Sequence, residues 1–163
     1  MVVKASNTFI LRKLDLSHLC FFLGLRVNQL VMERTLKAGF TGVRESHGYL
    51  VQHLIESERT ITALAKRMDV TQQAASKMVA ELIHLGIVEA IPAKDRRAKR
   101  IRLSKRGWRC VQLGRRARTR IDNLLIRTTG RNSYENTKST LLTCLRALGG
   151  IERIRSRRVR APR

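Results

Sequence analysis

The chain is poor in several things that would point to an enzyme, a secreted scaffold or a membrane protein. Its three cysteines, Cys20, Cys110 and Cys144, are odd in number and far apart. They form neither a disulfide framework nor a zinc spacing, and a reducing cytoplasm is the simplest setting. No apolar run approaches the ~18 residues of a membrane span. The N-terminal "MVVKASNTFILRK" lacks the apolar core and cleavage site of a secretory signal. There is no phosphate-cradling glycine loop, no GxSxG and no HExxH, so no catalytic set is legible and no cofactor is implied. His18, His47, His53 and His84 form no i,i+4 pair and have no Cys or acid at ligand spacing, so no metal site is expected. Only two prolines occur, Pro92 and Pro162, which leaves helices room to run.

Acidic residues are scarce as well, 12 against 34 Lys and Arg, for a net charge of +22. The imbalance is local. Residues 1–93 hold 11 bases and 8 acids, net +3, and residues 94–163 hold 23 and 4, net +19. A hydrophobic content of 43% excludes a disordered chain, and 163 residues suffice for one domain with a core. A folded, strongly basic chain first suggests nucleic acid as partner.

What is abundant is helical periodicity. From Leu16 to Phe40 apolar residues cover most of a helix, with Cys20, Phe21 and Phe22 widening the Leu16, Leu19, Leu23, Val27, Leu30, Val31 face. A helix apolar around most of its girth is buried on more than one side, which in a small domain suggests a partner subunit. A second helix fits Glu45 to Ile55 with Tyr49, Leu50 and Leu54 inward. Thr60 caps a short helix with Ile61, Leu64, Ala65 and Met68 inward, and Thr71 caps another that ends near Leu85, before Gly86. The period then becomes two in "GIVEAI" and "KRIRL", the mark of strands joined by a hairpin. Ser104 caps a long helix to about Thr128, whose buried line is Trp108, Val111, Gly114, Ala117, Ile121, Leu124 and Leu125. "TTGRNS" breaks it, and a last helix runs from Tyr134 to Leu148.

Residues 61–80 meet the demands of a helix-turn-helix: small Ala65 at the crossing, Asp69 in the turn, and Leu64, Met68, Val70, Ala75 and Met78 for the core. Behind the Thr71 cap, Gln72, Gln73, Ser76 and Lys77 project from the first turns of the second helix. These side chains suit base edges and phosphate, although a solvated helix face would look alike. The following "AKDRRAKRIRLSKRG" has eight Lys or Arg in fifteen residues. As a wing, its tip of Asp95, Arg96, Arg97 and Lys99 would lie beside the duplex, with Arg97 in the minor groove and Asp95 holding it extended. A merely basic, solvated hairpin is the alternative.

The block "LAKRMDVTQQAASKMVAELIHLGIVEAIPAKDRRAKRIRLSKRG" resembles the MarR family of winged-helix transcriptional regulators, most specifically in "DRRAKRIRLSKRG". The resemblance implies a mainly α fold with a small β-hairpin wing (α+β): a winged helix-turn-helix over residues 41–104, a helical dimerisation region from 1–40 and 105–150, and a basic tail at 151–163. It implies a cytoplasmic, nucleoid-associated regulator, most simply a repressor. The partners would be double-stranded DNA and a second copy of the chain, as a homodimer on a palindromic operator. The DNA-binding residues would be Thr71, Gln72, Gln73, Ser76, Lys77, Asp95, Arg96, Arg97 and Lys99. Release by a small phenolic or anionic effector is a further implication, with Arg26, His47 and Trp108 as candidates to line its pocket. "LDLSHLCFFLG" is similar to the segment of the organic-hydroperoxide-sensing branch, which would make Cys20 a redox sensor; a small buried apolar residue is the plainer expectation. A non-specific nucleic-acid-coating protein is the competing reading of the charge.

Overall fold

A computed structural model describes residues 13–92 and 99–152. The chain begins with α1, Leu16–Lys37, capped by Asp15, whose carboxylate accepts from the His18 amide at 2.9 Å. The Ser17 hydroxyl, the His18 amide and the His18 ring hold Asp15 well below the usual carboxylate range. Next come α2, Glu45–Leu54, a two-residue strand β1, Arg59–Thr60, and α3, Ile61–Met68. They are followed by α4, Gln72–His84, β2, Val88–Pro92, and β3, Lys99–Leu103. Two long helices complete the order: α5, Lys105–Thr129, and α6, Arg131–Ala147.

The strands form an antiparallel sheet in the order β1-β3-β2. Glu89 stands opposite Arg102 and is bonded to it at 2.7 Å, while Arg100 reaches Glu58 at 2.9 Å. Ile101 and Leu103 point into the core as the period-two pattern requires. Pro92 lies at the end of an outer strand, where its missing N–H costs no ladder bond. The main core gathers Leu50, Leu54, Leu64, Met68, Leu82, Ile87 and Ile101 beneath this sheet. A smaller cluster, Val31 with Ala117 and Ile121, joins α1 to α5.

One joint ties the two parts together. The Ser104 hydroxyl donates to the Gly86 carbonyl at 2.6 Å and accepts from the Gly107 amide at 2.9 Å, so the start of α5 is fastened to the turn that leaves α4. A Cβ on Gly107 would stand 2.0 Å from the Ile87 carbonyl oxygen, so only glycine allows this approach.

Several expectations need correction. Tyr49 is exposed, because the inner face of α2 is taken by His47, Leu50, His53 and Leu54. Trp108 and Leu124 are exposed too, since the buried side of α5 centres on Gly107, Ala117 and Ile121. The break after α5 is narrower than "TTGRNS": Gly130, at φ 83°, is the one residue between the helices, and α6 already begins at Arg131. The apolar girth of α1 is open rather than covered within the chain, with Leu16, Leu19, Phe21, Phe22 and Leu23 all exposed. Cys20 shares that exposure within the single chain.

Candidate nucleic-acid interface

The helix-turn-helix is fixed by three local devices. Thr60 Oγ1 accepts from the Ala63 amide at 3.2 Å and starts α3. Asp69 takes the left-handed conformation, φ 56° and ψ 50°, and is the one described non-glycine residue with positive φ. Aspartate tolerates this region better than most residues, and the Val70 amide then donates back to the Ala65 carbonyl at 3.1 Å. Thr71 Oγ1 accepts from the Ala74 amide at 3.1 Å and starts α4. Leu64, Met68 and Ala75 are buried at the crossing, with Val70 and Met78 half-buried beside them.

These devices leave Thr71, Gln72, Gln73, Ser76 and Lys77 exposed together on the first turns of α4. The same end of the helix presents free amides and the positive end of the helix dipole, an environment that favours phosphate. In the hairpin, Lys99 is exposed at the start of β3. Asp95, Arg96 and Arg97 lie outside the described residues. Arg100 and Arg102 are engaged by Glu58 and Glu89, so these two arginines hold the sheet together.

A polar link that the sequence does not reveal runs behind α4. His47 is buried at 1% exposure and bonds through Nε2 to Glu81 Oε2 at 3.1 Å. The Arg44 backbone amide donates to His47 Nδ1 at 3.1 Å, so Nε2 carries the proton and donates to the carboxylate. The Arg44 guanidinium also pairs with Glu81. The His47 hydrogen bond, then the positive charge of Arg44, hold Glu81 below the usual carboxylate range. The link spans 34 positions of sequence, so no local sequence signal marks it.

His47 and Arg44 also face a cavity of about 370 Å³ between α1, α2 and α5. Apolar Val31, Val51 and Val111 line it together with Arg115 and Arg118. Of the three residues suggested for an effector pocket, His47 lines the cavity. Arg26 instead bonds Glu33 and Gln29 along α1, and Trp108 lies on the exposed side of α5; neither is among the lining residues. Cys110 also lines it, and burial pushes its thiol up, away from the reactive thiolate. Tyr134 is engaged with Asp122, whose hydrogen bond and charge add to desolvation in raising the phenol. Among the described residues, no group of three or more His, Cys, Asp or Glu is placed to hold a metal, and no helix is long and apolar enough to cross a membrane.

Comparison with known proteins agrees with this architecture. Residues 39–98 match the sequence model of the MarR family. A search of curated proteins finds no significant match. Among solved structures, the chain is similar to wild-type MarR (apo form) from E. coli, with TM-score 0.60 and 18% identity over 81% of this chain and 98% of that one. It is also similar to Staphylococcus aureus MepR bound to ethidium bromide, with TM-score 0.61 and 17% identity over 84% and 99%. A MepR variant bound to an oligodeoxyribonucleotide gives TM-score 0.58 and 19% identity over 83% and 99%.

Proposed function

We propose that this chain, whose residues 39–98 belong to the MarR family and whose fold is that of MarR-type winged-helix transcription regulators, binds operator DNA as a homodimer. The observation that carries this reading is the joint exposure of Gln72, Gln73, Ser76 and Lys77 on the capped N-terminal turns of α4. These turns would enter the major groove, with the amide side chains on adenine edges and Lys77 on guanine or phosphate. Thr71, Asp95, Arg96, Arg97 and Lys99 would complete the contact, with Arg97 in the minor groove.

The dimer is supported by what one chain leaves uncovered. Phe21, Phe22 and Leu23 on α1, and Leu142, Leu145 and Leu148 at the end of α6, are exposed apolar side chains. Water-exposed apolar surface of this extent calls for a partner. Dimerisation through residues 1–40 and 105–150 would put two recognition helices about 34 Å apart on one face of a palindrome. Repression is the simplest consequence of such occupancy, and a cytoplasmic, nucleoid-associated setting follows from the partner. The cavity beside His47 is the site we assign to a small effector. A ligand that draws His47 or Arg44 away from Glu81 would loosen the rear support of the recognition helix.

The test is a mobility-shift titration against an A·T-rich palindrome and a random duplex across a salt series. A regulator keeps a preference of about 10³-fold or more, whereas a non-specific coating protein shows none, and that result would end this reading. In the same assay Gln73→Ala relaxes base preference by about 1 kcal/mol; unchanged selectivity moves readout to other residues.

A further inference from the structure

A second concavity lies apart from both the recognition helix and the effector cavity. It has a volume of about 320 Å³ and is lined by Ala38, Phe40, Arg106, Arg109, Gln112, Leu113 and Arg116. Arg109, Gln112 and Arg116 follow at spacings of three and four, so they share one face of α5. Arg106 is held in place: it donates to the Gly39 carbonyl at 2.8 Å, and its guanidinium lies 4.7 Å from the centre of the Phe40 ring.

Two observations separate this recess from an ordinary solvated face. Elsewhere in the described residues five of the nine arginines are paired with an acid, Arg26 with Glu33, Arg44 with Glu81, Arg59 with Glu56, Arg100 with Glu58 and Arg102 with Glu89, while Arg34, Arg67, Arg131 and Arg146 are not. On α5, by contrast, none of the eight Lys and Arg is in an ion pair among the described residues, and the helix's one acid, Asp122, is engaged with Tyr134. Second, the uncompensated charge here lines a hollow rather than a ridge, and one of its three guanidiniums is already fixed by a carbonyl and a ring. Three arginines and one amide around an acid-free recess match the oxygen-rich, multiply charged phosphoryl group.

The geometry points to a phosphate-binding site formed by Arg106, Arg109, Gln112 and Arg116, distinct from the DNA contact at the start of α4. Its α5 wall begins at the far end of α4, about 20 Å along that helix from Gln72. The phosphoryl group comes either from a free phosphorylated molecule or from a backbone phosphate of a duplex.

The experiment uses the full chain, with Arg109→Gln/Arg116→Gln as the variant and Arg120→Gln/Arg127→Gln as a control. The control loses the same charge outside the recess. Titration with inorganic pyrophosphate should show binding to the wild type that weakens about tenfold or more in the recess variant and is retained in the control. If the site serves a duplex phosphate, the recess variant also lowers the slope of log K against log salt by about 1.8, the value for two lost phosphate contacts. If it serves a free anion, that slope is unchanged. Equal weakening in the two variants, or no pyrophosphate binding by the wild type, overturns the site. Either result leaves the recognition-helix reading intact, since palindrome preference is measured separately.

Discussion

The winged core and the flanking helices treat their apolar residues in opposite ways. In the core, Leu50, Leu64, Met68 and Leu82 have no measurable exposure. In the flanks, α6 buries no residue, and α1 buries only Val31 and Thr35 despite its richer apolar content. Both regions carry apolar residues along their helices. The difference teaches that periodicity reports which side chains must leave water, and not whether their own chain provides the cover. The core is closed by its own sheet and helices. The flanks are half of a surface whose other half, on our reading, is a second copy.

The sharpest way to break this comparison is to damage each region in turn. Leu82→Ala removes a fully buried side chain at the junction of α4 and the core, and should lower unfolding free energy by about 3 kcal/mol in urea titration. A loss below about 1 kcal/mol would mean the core is not closed. Phe21→Ala/Phe22→Ala should leave the far-ultraviolet spectrum unchanged and weaken self-association by about 2 kcal/mol, read by sedimentation equilibrium. If the variant associates as tightly as the wild type, the apolar face of α1 has some other purpose. Arg97→Ala should cost more than 1 kcal/mol of operator affinity with the fold intact. Unchanged binding would remove the wing from the mechanism.

The smallest effect sharpens the comparison within the core. Glu81 is held below its ordinary value by His47 and Arg44. Its contribution is therefore fully present above about pH 4.5, the ordinary glutamate value, and is lost as pH falls through its lowered folded value. Glu81→Gln should flatten this part of the stability profile between pH 5 and acid. A profile identical to wild type would show that the link does not titrate with folding.

Much of the fold was legible because its signals are local. Thr60, Thr71 and Ser104 are caps whose hydroxyls do in space what their positions before apolar runs suggested, and Asp69 sits in the turn conformation that an Asp can accept. The strand β1 is not legible in the sequence because two residues cannot display a period; its register is dictated by Arg100 and Ile101, some forty positions later. Tyr49 and Trp108 show the converse limit, since an aromatic at a plausible helical position is left outside when smaller neighbours fill the inner face. For the candidate site, the exposed set on α4 could be read from spacing. The His47–Glu81 link and the Arg106 recess could not, because each joins elements that meet only after folding.

The missing Cβ of Gly107 has a mechanical consequence. With the Ile87 carbonyl seated against its bare backbone and Ser104 stitched to Gly86, the exit of α4 and the root of α5 are held in register. The 25-residue helix becomes a lever about 37 Å long whose root is fastened to the C-terminal end of α4. A tilt of about 5° at the joint displaces the far tip by about 3 Å over that length. A rotation of α4 about this joint would therefore be passed on to α5.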